Sequence, residues 1–203
     1  MMMYAKDLDG NGSIDPVLAY YIKSNTGSRE LYPAMNRDQF AAQVPALKKK
    51  YLYHHQYSKA TISSLLSDEE MEDILKLTCD ETASGWFENK GGGKFSKHAL
   101  PLAAQIAPVN AIVCTDVDQD GNMDIILAGN EYQTEISTGR YDASYGLVLR
   151  GDGKGNFKAV APAASGLIID GDVKDLKIIT AGRKQRIVLT AINDAQLKAF
   201  QIK

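Results

Sequence analysis

The sequence predicts a mainly β chain of propeller-type blades: about three four-stranded repeats, an incomplete ring, with a helical insertion at about 35–79. Two observations predict this. An acidic loop of one fixed spacing occurs twice, each time between short apolar runs. The order of strand-like runs and Gly-rich turns then recurs about 64 residues on, as in Val109 and Val173. Four strands per unit, repeated, is the sequence signature of a blade.

The loops come first. Asp116-Val117-Asp118-Gln119-Asp120-Gly121-Asn122-Met123-Asp124 carries carboxylates at positions 1, 3, 5 and 9 and Gly at position 6. Asp7-Leu8-Asp9-Gly10-Asn11-Gly12-Ser13-Ile14-Asp15 repeats the pattern with Asn at position 5. A hard dication takes six to eight oxygens, and alternating Asp side chains on a tight turn supply them. Asn122 and Ser13 stand at position 7, where the backbone carbonyl serves. Without an ion, clustered negative charges repel one another. The candidate metal ligands are therefore Asp7, Asp9, Asn11, Ser13 and Asp15, and Asp116, Asp118, Asp120, Asn122 and Asp124. With four Asp against three Asp and one Asn, the second loop is expected to bind more tightly.

An EF-hand would place Glu at position 12 and a helix after it. Position 12 is Leu18 in one loop and Leu127 in the other, and short β-branched and aromatic runs follow both. Those runs read as strands, so each loop is the turn of a hairpin. In the second repeat the strands fall near 109–115, 124–129, 146–150 and 156–160, the last after the Gly-rich turn Gly151-Asp152-Gly153-Lys154-Gly155-Asn156. The blades are expected at about 1–101, 106–162 and 168–203, all in one domain.

The first repeat holds a surplus, which falls at about 35–79 and reads as helical. Phe40, Val44, Leu47 and Tyr51 share a helix face, and Pro45 starts a second helix. Ser67 to Glu70 is a capping box, and Met71, Ile74 and Leu75 continue an apolar stripe. The insertion is expected to be dispensable to the sheets. The third repeat has strands at 176–181, 186–190 and 196–201, and Gly182-Arg183-Lys184-Gln185 replaces the acidic loop with a basic turn that repels a dication. No fourth strand follows, so an open edge is expected there, and with it self-association. The abrupt start before the first loop points to a longer parent chain whose export signal lies upstream.

Composition narrows the function. A net charge of −2 over 203 residues argues against an electrostatic nucleic-acid binder. No run approaches a membrane span. Two cysteines, Cys79 and Cys114, make neither a disulfide framework nor a zinc site, and Cys114 reads as a buried hydrophobe. His54 and His55 are adjacent on a helix and point about 100° apart, a poor chelating pair. No nucleophile elbow, zinc-protease motif or phosphate loop is present, so no catalytic residue is assigned. Lys48-Lys49-Lys50 reads as a solvated helix face.

On these residues the chain resembles FG-GAP/VCBS-type repeats, the units of calcium-decorated seven-bladed propellers. Gly139-Arg140-Tyr141-Asp142-Ala143-Ser144-Tyr145-Gly146, the helical insertion and Ala191-Ile192-Asn193-Asp194 look more narrowly like the C-terminal part of large Bacteroidetes VCBS-repeat proteins related to the ASPIC/UnbV family. The resemblance implies calcium at two sites, an extracytoplasmic or cell-surface location, and a role in adhesion or recognition of a protein or glycan. The alternative is a carbohydrate-binding, lectin-like propeller, in which Asn130, Tyr132, Tyr141, Asp142 and Tyr145 of the long 130–146 connection would stack on and hydrogen-bond a sugar. Part of an extracytoplasmic enzyme is the third reading.

Overall fold

The computed structural model describes residues 1–23, 27–136, 138–182 and 185–202. Arg183 and Lys184, on which the metal-free reading of the third turn rests, and Lys203 lie outside them. The fold is mainly β, with several antiparallel sheets. It divides into two compact units, Met1–Thr82 and Ala83–Lys203. The division falls inside the 1–101 stretch that the repeats assign to one blade.

The first unit opens with β1 (Met2–Lys6), β2 (Asp15–Lys23) and β3 (Arg29–Pro33). Five short helices follow: α1 (Arg37–Gln43), α2 (Leu47–Lys50), α3 (His54–Tyr57), α4 (Ile62–Leu65) and α5 (Asp68–Met71). Then comes β4 (Leu75–Thr78), and the sheet order is β3-β2-β1-β4. Val17 and Ala19 alternate inward on β2 with Tyr4 of β1, and the helices cover that face. Phe40, Leu47, Ile62, Leu65 and Leu66 are all buried there. At about 1.5–3 kcal/mol for each large side chain, they supply most of this core.

Two expectations are corrected here. The 35–79 segment is the hydrophobic half of the unit, not a dispensable insertion. The helical stripe also stops at Met71: Asp73 sits at φ 54°, a left-handed residue that ends the helix, and Leu75 belongs to β4. β4 then pairs with β1 through Met3↔Leu77, so the sheet is not a simple meander. The capping box Ser67–Glu70 is present, and a second one, Asn36–Gln39, opens α1. Tyr57 is packed into this core with its hydroxyl donating to Met35 O at 2.9 Å, and burial pushes its pKa up to about 12.

The second unit begins with a hairpin, β5 (Gly85–Gly91) and β6 (Lys94–Ala99). Next come the four strands of the second repeat: β7 (Val109–Thr115), β8 (Asp124–Gly129), β9 (Leu147–Gly151) and β10 (Phe157–Val160), in the order β10-β9-β8-β7. After the short helix α6 (Pro162–Ser165), β11 (Val173–Ala181), β12 (Gln185–Ile192) and β13 (Lys198–Ile202) form a three-stranded sheet. Neither unit by itself closes a ring of blades.

β8 is buried at every position, which explains its unbroken apolar run. Ile126 and Ala128 face the β11–β13 sheet with Val188 and Leu176, while Ile125 and Leu127 face a second core with Leu149, Leu100 and Ala104. Trp86 of β5 packs against that second core. Its ring stacks on His98 at 4.4 Å, meets the Phe157 ring edge-on at 6.2 Å, and lies against Gly155, where a Cβ would be 2.6 Å from the indole. Cys114 is exposed, a further correction. β7 alternates, with Ala111 and Val113 inward and Ile112 and Cys114 outward.

Candidate metal centre

The two acidic loops adopt one backbone. Position 4 has positive φ in both, 75° at Gly10 and 63° at Gln119, and position 6 has φ 88° in both, at Gly12 and Gly121. Gly tolerates that region freely, whereas at Gln119 it costs about 1–2 kcal/mol. The hydrogen bonds repeat as well. Asp7 accepts from Gly12 N at 2.8 Å and Asn11 N at 3.1 Å; Asp116 accepts from Gly121 N at 3.0 Å and Asp120 N at 3.2 Å. Asn11 Oδ1 accepts from Ser13 N at 2.8 Å, and Asp120 Oδ1 from Asn122 N at 2.7 Å. These donors, Gly12 N first, hold the Asp7 carboxyl below the usual carboxylate range.

The ninth residue clamps each hairpin. Asp15 Oδ2 accepts from Leu8 N at 2.9 Å and Asp124 Oδ2 from Val117 N at 2.8 Å. Asp124 also reaches sideways, its Oδ1 accepting from Gly151 N at 2.8 Å, and it is wholly buried. It thus ties the start of the loop to β9.

Two groups of carboxylates could hold a metal ion. Oxygens of Asp7, Asp9 and Asp15, and separately of Asp116, Asp118 and Asp120, all lie within 4.8 Å of one another. At that distance a pair of charges repels by about 0.9 kcal/mol in water and about 3.5 kcal/mol at an effective dielectric of 20. A dication reverses the sign of that interaction. Asp118 Oδ1 adds a second feature: it is shielded from solvent and has no hydrogen-bond partner. Its other oxygen, Oδ2, lies 2.8 Å from Arg150 Nε.

Asp124 is outside the second carboxylate group, since both its oxygens serve the hairpin clamp. Asn11 and Ser13 are exposed, and Asn122 is half-buried. Sequence reasoning missed Arg150, which reaches the loop from β9, and Arg186, whose guanidinium donates to Asp116 O at 2.6 Å and to Thr115 Oγ1. Neither lies near the loop in sequence: the pairing of β9 with β8 brings Arg150 there, and the packing of the β11–β13 sheet against β7 and β8 brings Arg186.

The 130–146 connection is held together by Asn130 and by a bridge between Glu131 and Tyr141, whose backbones exchange two bonds of 2.9 Å. Asn130 is buried; its amide donates to Ser144 O and Gly171 O and accepts from Ser144 N. It shapes the loop from within. Tyr141, Asp142 and Tyr145 are exposed, and Arg140 lies 4.8 Å over the Tyr132 ring. Glu131 pairs with Lys174 at 2.9 Å, which holds its carboxyl below the usual range, and Lys174 also lies 2.8 Å from buried Asp172.

No helix among the described residues is long and apolar enough to cross a membrane. No protein-family model, no curated protein and no solved structure matches the chain.

Proposed function

We propose that this chain is a calcium-stabilised β-repeat module of the FG-GAP/VCBS propeller type, serving protein recognition or adhesion at the cell surface or outside the cell, without catalysis of its own. The observation that supports it is the pair of acidic hairpin loops with positive φ at the same two positions, each bringing three carboxylates within 4.8 Å of one another. Calcium suits an all-oxygen donor set on a flexible turn, and extracellular modules bind it with Kd of about 10⁻⁴–10⁻³ M. Such affinities match a compartment rich in calcium. The ion neutralises the loop and crosslinks two strands, leaving the displayed surfaces to do the binding.

Thermal melts with EDTA and with millimolar calcium test this. At a free ion level tenfold above Kd, linkage adds about 1.4 kcal/mol per site, so calcium is expected to raise the midpoint. Identical midpoints, together with no ion in either loop of a calcium-soaked crystal, would refute the reading.

Arg150 gives a sharper test. Its guanidinium competes with a dication for Asp118 and offsets the extra formal charge of the second loop. Arg150→Ala is expected to tighten calcium binding at the 116–124 loop by about 3- to 5-fold and leave the 7–15 loop unchanged, as read by calorimetry. Weaker binding at the 116–124 loop would mean that Arg150 positions Asp118 instead of competing for it.

A further inference from the structure

Gly151, Gly153 and Gly155 alternate through the turn between β9 and β10, and each stands where a side chain does not fit. A Cβ on Gly151 would run into Met123 O, and one on Gly153 into Asn122 Oδ1, both in the 116–124 loop. A Cβ on Gly155 would lie 2.6 Å from Cζ2 and 2.8 Å from Cη2 of Trp86 on β5. The turn is thus packed against the acidic loop on one side and the β5–β6 hairpin on the other. It is also stiff. Asp152 Oδ1 accepts from Lys154 N at 2.8 Å and Asn156 N at 3.1 Å, and Asp152 Oδ2 accepts from Asn156 Nδ2 at 2.7 Å. Asp124 Oδ1 holds the first amide of the turn, Gly151 N. A stiff segment in contact at both ends passes a restraint at one end to the other.

Beyond Gly155 the contacts continue. The Trp86 ring stacks on His98, whose Nε2 lies 3.0 Å from Glu88 Oε2. Two clefts of about 510 and 490 Å³ open beside this stack, and Gly155 and Asn156 line both. We infer that the 151–156 turn couples the 116–124 loop to the Trp86–His98 stack, so that an ion in the loop fixes where the turn sits and with it the shape of the two clefts. Asn122 is the loop end of this linkage. Its backbone carbonyl stands at the seventh position of the loop, and its side chain lies against Gly153. An ion that holds the carbonyl therefore restrains the group that presses on the turn. No change of fold is required, because restraint alone couples two sites that share a segment. This regulation of the clefts rests on the calcium reading of the loop.

The experiment uses the full chain and calcium alone. Trp86 is the only tryptophan, so its emission is followed through a calcium titration, with calorimetry on the same samples. The emission is expected to change and to saturate with the midpoint that calorimetry gives for the 116–124 loop. Saturating calcium is expected to slow amide exchange at Gly155 and Trp86 by about threefold or more. Asp120→Ala should abolish both responses. Coupling is reciprocal, so Trp86→Phe, which removes the ring atoms that Gly155 touches and keeps an aromatic in the core, should weaken calcium at the 116–124 loop by about fivefold and leave the 7–15 loop unchanged. Calcium bound at the 116–124 loop with unchanged emission and exchange would overturn this inference and leave the metal reading standing. An emission change that persists in Asp120→Ala, or unaltered affinity in Trp86→Phe, would overturn it as well. No calcium bound at either loop would overturn both readings together.

Discussion

Asp124→Ala is expected to destabilise the Ala83–Lys203 unit by about 3–5 kcal/mol, in calcium or in EDTA. The carboxylate is wholly buried and accepts from two backbone amides, Val117 N and Gly151 N, each at 2.8 Å. Hydrogen bonds to a charged acceptor contribute about 1.5–3 kcal/mol each, and the alanine leaves both amides without a partner. Since whole domains are stable by only about 5–15 kcal/mol, the loss is a large share of the total. Trp86 is the only tryptophan in the chain and packs within this unit, so its fluorescence in a urea titration reports the change directly. Asp124→Asn keeps the volume and can accept from one amide but not both, so it should fall between the two. A midpoint for Asp124→Ala within the equivalent of 1 kcal/mol of the parent would show that the clamp contributes little.

What was legible in the sequence follows from which interactions are local. The hairpin loops could be read because their geometry is set within nine residues, by Gly12 and Gly121 at positive φ and by carboxylates that accept amides two to five positions away. The four strands of the second repeat could be read because β8 is buried on both faces and advertises itself as a continuous apolar run. The same density of apolar residues hid the alternation of β7, so Cys114 read as buried. Ser67 and Glu70 announced α5 because a capping box spans only four residues. β4 was not legible: four residues, all exposed, give a weak signal, and its place beside β1 is a long-range pairing. Distance in sequence also hid Arg150 beside Asp118 and Arg186 beside Asp116. Spacing shows which oxygens a loop can gather. It does not show which cationic side chains the fold brings alongside them, such as Arg150 at Asp118.

Asn130→Ala is expected to cost about 3–4 kcal/mol and to loosen the 130–146 connection before anything else. Two separate losses add. The side chain is 2% exposed and makes three bonds, to Ser144 O at 2.8 Å, to Gly171 O at 3.1 Å and from Ser144 N at 3.1 Å. Its backbone sits at φ 77°, where Asn is tolerated and alanine costs about 1–2 kcal/mol. Asn130→Gly relieves the second cost and keeps the first, so the difference between the two variants isolates the backbone share. Hydrogen exchange at the Ser144 amide should accelerate in both. The consequence reaches the surface, because Tyr141, Asp142 and Tyr145 are displayed on the segment that Asn130 folds. A glycan bound through those tyrosines would lose affinity in Asn130→Gly without losing a direct contact, since Asn130 spends its whole amide inside the protein. Equal stability of the alanine and glycine variants would show that the left-handed backbone at this position is not under strain. Unchanged exchange at Ser144 would show that Asn130 is not what holds the loop.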